Sequence, residues 1–254
     1  MLTESTKIKD IFDEKYLIEL SEKIHDVHKN FRTTQLVALW GDIKDKTFSQ
    51  RIDIIARGIG TALTNYTETL DVLSRLLVPI DDFAVMYSKG IKFAPFGRYV
   101  EIYAPQHPDN FNETVQFVEK FTMCYTGEFA MRPVIEAFPE QSMKVLKLWS
   151  TSDNVFVRRL ASECMRVNLP WARKLTAAVK QWKDYVDVLD NLVCDSNPYV
   201  TRSVANNLNE LYKYDNALAV ELTKHWREKF GTKADAVIRH GTRWARRYKS
   251  NGSR

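Results

Sequence analysis

The chain has 254 residues, of which 44% are hydrophobic and 27% charged, and its nine glycines and eight prolines are few for this length. This composition excludes collagen-like, low-complexity and wholly disordered chains. No run approaches ~18 apolar residues, and charges stand where the apolar part of a secretory signal would lie, so we expect a cytoplasmic protein with no membrane span. The three cysteines form no CxxC pair and predict no disulfide framework.

Positive charge is concentrated in two stretches of the chain. The net charge is +5, and residues 225–254 carry nine Lys or Arg against two acids. Residues 156–182 carry six Lys or Arg, and their single acid is Glu163. Clustered positive charge beside aromatic side chains suits a polyanion, with nucleic acid the first candidate. A basic solvated surface would explain the same charges.

Apolar residues recur at helical spacing along almost the whole chain, first in 8–27, then in 70–77 and 115–122. There is no NG or DG hairpin and no long alternation of apolar and polar residues, so strand signals are weak. The sequence therefore predicts an all-α fold. Residues 88–112 hold three prolines and two glycines, which predicts an irregular segment there.

No strong linker interrupts the chain, so we predict one domain over residues 1–254. Within it we expect a helical group at 1–87, the irregular join at 88–112 and a repeat array at 113–248. The composition of residues 246–254 predicts a flexible basic tail.

The repeat array is indicated by an internal similarity at an offset of 43 residues. DNVFVRRLASECMRV at 153–167 aligns with SNPYVTRSVANNLNE at 196–210, which pairs Asn154 with Asn197. This period lies in the roughly 40–47-residue range of HEAT and armadillo units, which are stacked helix pairs. The sequence predicts an α-solenoid whose second helices line a concave basic face. One arginine per unit would stand there in register: Arg159, Arg202 and, in a weaker echo at 236–245, Arg239.

Many signatures of catalysis are absent from the sequence. It contains no GxxxxGK[ST], GxGxxG, HExxH or GxSxG motif. His25 and His28 are three residues apart on a predicted helix, but no nearby side chain completes a metal site, so surface histidines are the favoured interpretation. Cys164 is interpreted as a small buried hydrophobe. We therefore predict no metal and no cofactor.

The remaining candidates are two carboxylates, their arginine neighbours and one tryptophan. Glu128 precedes Arg132 by four residues, and Glu163 follows Arg159 by four. Each pair could simply be a salt bridge on a helix surface. Trp171 follows Pro170 at a predicted helix start, where a tryptophan can also serve as a hydrophobic staple.

These residues lie in segments that resemble a known family. VRRLASECMRVNLPWARKL (157–175), FTMCYTGEFAMRPVIEAFPE (121–140) and YVTRSVANNLNEL (199–211) are similar to the AlkC branch of the AlkC/AlkD-type HEAT-like DNA glycosylases. The similarity in layout covers most of the chain. Departures from the family pattern occur at Cys164–Met165, Val167, Thr201 and Glu210, where the last replaces a common Asp.

The resemblance implies a DNA glycosylase that hydrolyses the N-glycosidic bond of N3-alkylated, positively charged bases in duplex DNA, without flipping them. Such bases include 3-methyladenine and, by resemblance alone, 3-methylcytosine. We expect carboxylates to stabilise the sugar cation and position a water, and an indole to add cation–π attraction. The predicted catalytic group is Glu128, Glu163 and Trp171, with Glu210 a weaker fourth member. The predicted DNA-binding residues are Arg132, Arg158, Arg159, Arg202, Asn206, Arg239 and Arg243.

The expected partner is alkylated double-stranded DNA, bound at the nucleoid by a monomer without an obligate protein partner. The main alternative is a non-catalytic HEAT-like scaffold that binds nucleic acid or an acidic protein. That alternative does not explain why an acid is embedded in each basic segment. An RNA-binding repeat protein is disfavoured because the units differ too much to read successive bases.

Overall fold

The computed structural model describes residues 7–251, and for residues 249–251 it describes the backbone only. Seventeen α-helices occur in this range, and no strand is found there. The helices of the first 131 residues are α1 Glu14–Val27, α2 Thr34–Val37, α3 Trp40–Ile43, α4 Phe48–Ala62, α5 Tyr66–Leu76, α6 Phe83–Lys89, α7 Ala94–Tyr103, α8 Phe111–Thr122 and the start of α9 Glu128–Ala137.

The later helices are α10 Pro139–Trp149, α11 Val155–Glu163, α12 Ala177–Lys180, α13 Trp182–Leu192, α14 Pro198–Tyr214, α15 Asn216–Phe230, α16 Asp235–Gly241 and α17 Arg243–Asn251. Short 3₁₀ turns lie at Ile8–Ile11, Gly90–Phe93, Ala104–Gln106, Pro108–Asn110 and Gly231–Ala234. Among residues 7–251, none of the helices combines the length and the apolar character that crossing a bilayer requires.

The chain divides into two compact units, Met1–Met131 and Arg132–Arg254. In the first unit, α4 packs against α7 and α5 against α8. Arg51 of α4 is buried there, and its guanidinium donates to four backbone carbonyls, those of Lys9, Phe12, Lys44 and Lys46. The single domain over 1–254 stays a prediction.

The prediction of irregular structure at 88–112 is wrong, because this segment is mostly helical. It contains α7 and three of the 3₁₀ turns. Its prolines stand in the first turn of these elements, where a missing N–H leaves no hydrogen bond unmade. Gly90 has a packing role, since a Cβ there would lie 2.1 Å from the carbonyl oxygen of Cys124.

The second unit shows the predicted repeat register. Helices α11 and α14 begin at Val155 and Pro198, which are separated by the predicted period. Their N-caps are Asn154 and Asn197, whose side chains accept hydrogen bonds from the first backbone N–H groups of each helix. The second helices α11, α14 and α16 pack in sequence against one another, and α10 packs on α13 behind them.

The flexible tail expected at 246–254 is also corrected in part. Residues up to Asn251 continue α17, and residues 252–254 lie outside the described part of the chain. The stacking of Trp244 on Tyr248, with ring centroids 5.3 Å apart, supports this last helix.

Candidate catalytic and DNA-binding site

Glu163 is the last residue of α11, and its carboxylate is buried among cations. The residue is 6% exposed. Its Oε1 accepts a hydrogen bond from Arg166 at 2.6 Å and lies 3.4 Å from the guanidinium of Arg159. Its Oε2 accepts a hydrogen bond from the Ser203 hydroxyl of α14 at 2.6 Å. The predicted pairing of Glu163 with Arg159 is therefore present, in a buried cluster that also contains Arg166.

Opposing effects act on the ionisation of Glu163. Burial raises the pKa of its carboxyl, but the charges of Arg159 and Arg166 and the hydrogen bonds from Ser203 and Arg166 outweigh burial. The net result is a pKa below the usual range of a glutamate. The side chain is therefore a carboxylate at neutral pH, held in the protein interior.

A buried polar network fixes the serine that contacts Glu163. Ser203 accepts a hydrogen bond from Ser162 at 2.7 Å and donates to Glu163. The amide of Asn207 donates to the carbonyl of Ser162 at 2.8 Å and in turn accepts from the Tyr185 hydroxyl at 3.0 Å. Satisfied buried networks restrict side chains to one arrangement, so this network holds α11, α13 and α14 in register behind the carboxylate.

Sequence reasoning missed Arg166 and Ser203 as parts of this cluster. Arg166 stands three residues after Glu163, a spacing that brings side chains together on a helix, and this signal was present in the sequence. Ser203 lies 40 residues away and meets Glu163 only through the packing of α11 on α14. Tyr199 is a third residue of the cluster that sequence reasoning missed. The guanidinium of Arg159 lies over its ring, 4.9 Å from the centroid.

Trp171 lies in the loop 164–176 that follows α11, and it is presented to solvent. The residue is 99% exposed, and its φ of 62° is the only positive φ of a non-glycine residue among residues 7–251. A bulky residue in this left-handed region costs roughly 1–2 kcal/mol, and such strain tends to mark functional positions. A hydrophobic staple would be packed against its helix, so the exposure of Trp171 argues against that interpretation.

Backbone hydrogen bonds close the loop below Trp171. The amide of Leu175 donates to the carbonyl of Val167 at 2.9 Å, and that of Ala172 donates to Leu169 at 3.1 Å. Lys174 adds a contact to α14, because its ammonium lies 4.5 Å from the centroid of the Tyr214 ring.

Arg132 contacts the backbone of the loop 164–176 in this structure, and its DNA-binding role stays a prediction. It is 5% exposed. Its guanidinium donates to four backbone carbonyls, those of Cys164, Arg166, Val167 and Arg173. The side chain is therefore buried, and its guanidinium is engaged by backbone carbonyls.

Glu210 of α14 is tied to the same loop. It is 6% exposed, and its carboxylate accepts hydrogen bonds from Asn168 at 3.1 Å, Asn209 at 3.2 Å and Lys213 at 2.9 Å. Because Asn168 belongs to the loop, Glu210 is connected to the segment that carries Trp171. The structure thus brings Glu163, Trp171 and Glu210 into one unit and onto adjoining elements.

Glu128 belongs to the first unit. It is 5% exposed and accepts a hydrogen bond from the Thr126 hydroxyl, and its charge contributes to the raised pKa of Tyr125, for which burial is the larger cause. Its membership in the catalytic group stays a prediction.

The remaining predicted DNA-binding residues differ in how free they are to bind a phosphate. Arg158 is committed to structure, because it pairs with the buried side chain of Asp195 at 2.6 Å and donates to the carbonyls of Ser152 and Asp153. Its predicted role in DNA binding stays a prediction. Arg202 and Arg239 are exposed, as the prediction requires.

Positive charge accumulates where α14, α16 and α17 meet. Arg243 donates to Asn206 at 2.9 Å, so these two predicted residues contact each other. Burial lowers the pKa of His240, and the charges of Arg243, Arg202 and Arg246 lower it further. Burial and the charges of Arg166 and Arg247 likewise lower the pKa of Arg243, against the opposing charge of Glu210.

Residues considered as metal ligands or thiols have other contacts. The ring of His25 contacts the carbonyl of Phe31 at 3.0 Å, and His28 lies 3.6 Å from Glu68. Cys164 is buried. Within residues 7–251, no group of three or more His, Cys, Asp or Glu is arranged to hold a metal ion.

The chain is similar to two proteins over most of its length. A Bacillus subtilis (strain 168) protein named "Uncharacterized protein YhaZ" is 31% identical over 243 residues, which cover 93% of this chain and 64% of that protein. A solved structure of Pseudomonas fluorescens alkylpurine DNA glycosylase AlkC, bound to DNA containing an abasic site analog, is 26% identical with a TM-score of 0.77. That match covers 94% of this chain and 64% of the solved chain. The chain thus spans slightly less than two thirds of each, and no protein-family model matches it.

Proposed function

The chain belongs to the AlkC branch of the AlkC/AlkD-like HEAT-repeat family, as the sequence resemblance indicated, and from this premise we propose that it is a DNA glycosylase of alkylated bases. Its substrates are N3-alkylated, positively charged bases in duplex DNA, 3-methyladenine first. The observation that carries the proposal is the buried, ionised carboxylate of Glu163 in the unit that also presents Trp171.

The leaving base needs little assistance from the protein, because it already carries a positive charge. N3-methylated adenine carries a positive charge, and it departs as a neutral base with the electron pair of the broken bond to C1′. The sugar is left as an oxocarbenium-like cation, which a water molecule attacks at C1′. The water loses one proton, so the products are the free base, an abasic sugar and a proton. Fixed negative charge near the sugar lowers the barrier to this step.

The low pKa of Glu163 suits electrostatic stabilisation better than proton transfer. A general base works best when its pKa lies near the working pH, and the cations around Glu163 hold its pKa below the usual value of a glutamate. Glu163 therefore stabilises the sugar cation. Glu210, which lies in the same unit as Glu163, is the carboxylate left to orient the water, and the role of Glu128 stays a prediction.

The arginines beside Glu163 connect DNA binding to this role. Arg166 and Ser203 each hydrogen-bond to the carboxylate at 2.6 Å, and Arg159 lies 3.4 Å from it. In the proposed complex Arg159 also contacts a DNA phosphate from its place beside Glu163. Arg202 and Arg239, both exposed, contact further phosphates.

The lesion is attacked without being flipped out of the duplex. Two clefts of the second unit, of about 830 and 460 Å³, are lined by neither Glu163, Trp171 nor Glu210. The exposed indole of Trp171 suits an approach to the cationic deoxyribose from the groove, where its face adds cation–π attraction. Specificity then follows from the charge and lability of the lesion, which also admits 3-methylcytosine.

The test is release of 3-methyladenine from methylated duplex DNA, measured by chromatography in the presence of EDTA. The wild type should release the base, and Glu163→Gln should not, while still binding DNA. Glu228→Gln is the matched control, because it removes the same charge from an exposed site on α15. If EDTA abolished base release by the wild type, the reaction would not be metal-free. DNA binding without release by the wild type would favour the non-catalytic scaffold.

A further inference from the structure

We propose that Arg132 is the positioning residue for Trp171, acting through the backbone of the loop that carries it; this inference rests on the proposed function. Trp171 cannot be held by side-chain packing, because it is 99% exposed. The position of its indole is therefore decided by the backbone beneath it, including the left-handed conformation at Trp171 itself.

Arg132 contacts that backbone on both sides of Trp171. Its Nη1 donates to the carbonyls of Cys164 at 3.2 Å and Arg166 at 2.6 Å, before the tryptophan. Its Nη2 donates to the carbonyl of Val167 at 3.4 Å and, beyond the tryptophan, to that of Arg173 at 2.5 Å. One rigid group thereby joins the two ends of the loop, next to the Leu175 to Val167 hydrogen bond that closes it.

Only a guanidinium can make this arrangement. Its planar group has donors in a fixed fork, which can reach several carbonyls at once, whereas a lysine ammonium is a compact point charge on a flexible stem. Arg132→Lys therefore keeps the charge and most of the volume but cannot hold all four carbonyls.

Arg51 provides a matched control within the same chain. It is also buried and also donates to four backbone carbonyls, but those belong to residues 9–46 of the first unit. Arg51→Lys should therefore lower the melting temperature as Arg132→Lys does, without changing the loop at Trp171. A general loss of stability and a loss of loop position can thus be told apart.

The experiment is a double-mutant cycle between Arg132 and Trp171, read by single-turnover release of 3-methyladenine. Arg132→Lys should slow release by up to roughly tenfold in the wild-type background, because it can cost no more than the loss of the indole contact that it positions. In the Trp171→Ala background it should have almost no further effect. An equal loss in both backgrounds, or full activity of folded Arg132→Lys, would overturn the proposal.

Hydrogen exchange gives a readout that does not depend on activity. The amides of Ala172 and Leu175 should exchange faster in Arg132→Lys than in wild type, and at the wild-type rate in Arg51→Lys. Unchanged exchange in Arg132→Lys would refute the role of Arg132 even if base release changed. If the wild type releases no base, the proposed function has failed, and with it the role of Trp171 that Arg132 serves. If Arg132→Lys does not fold, Arg132→Gln replaces it in both measurements.

Discussion

Replacing Trp171 by glycine and by alanine separates the backbone strain at this position from the function of the indole. Both changes remove the indole, and because the residue is 99% exposed they forfeit almost no buried area. Alanine retains the cost of a left-handed backbone at φ 62°, whereas glycine adopts this region freely. Relief of roughly 1–2 kcal/mol of strain, less the greater freedom of glycine in the unfolded chain, leaves Trp171→Gly about 1 kcal/mol more stable than Trp171→Ala.

This difference is measurable by thermal unfolding. For a chain of this size, 1 kcal/mol corresponds to a shift in Tm of about 2–4 °C. Trp171→Ala should melt close to the wild type, and Trp171→Gly above both. Base release should fall by roughly tenfold in both variants, since a cation–π contact contributes about 0.5–2 kcal/mol.

Two results would refute the reasoning. If Trp171→Gly were no more stable than Trp171→Ala, the strain of the left-handed backbone would be no larger than the entropic cost of glycine. If both variants released base at the wild-type rate, the indole would have no part in the reaction. A stabilised but less active glycine variant is the expected outcome, and it would show that the fold tolerates strain to present this side chain.

Four further predictions concern acid stability, the repeat and two arginines. The pKa of Glu163 is lowered on folding, so its stabilising contribution is complete above its unfolded pKa of about 4.3 and is lost as pH falls through its folded pKa. When urea unfolding is measured between neutral and acid pH, the free energy of unfolding should therefore fall less steeply for Glu163→Gln than for the wild type. Asn197→Ala should lower the free energy of unfolding by about 1 kcal/mol in the same assay, because it removes an N-cap. Arg202→Ala should reduce the slope of log K for DNA against log salt by about one and leave Tm unchanged. Arg158→Ala should have the opposite effects: it should cost about 2 kcal/mol of stability, because the buried carboxylate of Asp195 loses its cation, and it should leave the slope unchanged.

The sequence determined the features that depend on neighbours along a helix. Its 3.6-residue periodicity predicted the all-α fold, and the offset of 43 residues predicted the register that places Asn154 and Asn197 at matching N-caps. The four-residue spacing of Arg159 and Glu163 predicted their contact. The error at 88–112 has the same local origin, since prolines in the first turn of a helix look in sequence like prolines that end one.

Tertiary packing decided the contacts of each arginine, which the sequence alone could not assign. An arginine on a basic stretch has the same sequence signal whether its guanidinium meets a phosphate, a carboxylate or backbone carbonyls. Only the fold shows that Arg158 binds Asp195, 37 residues away, and that Arg132 binds the loop 32 to 41 residues away. The exposure of Trp171 and the burial of Glu163 are decided in the same way, because both depend on which elements close around a side chain and not on the residues next to it.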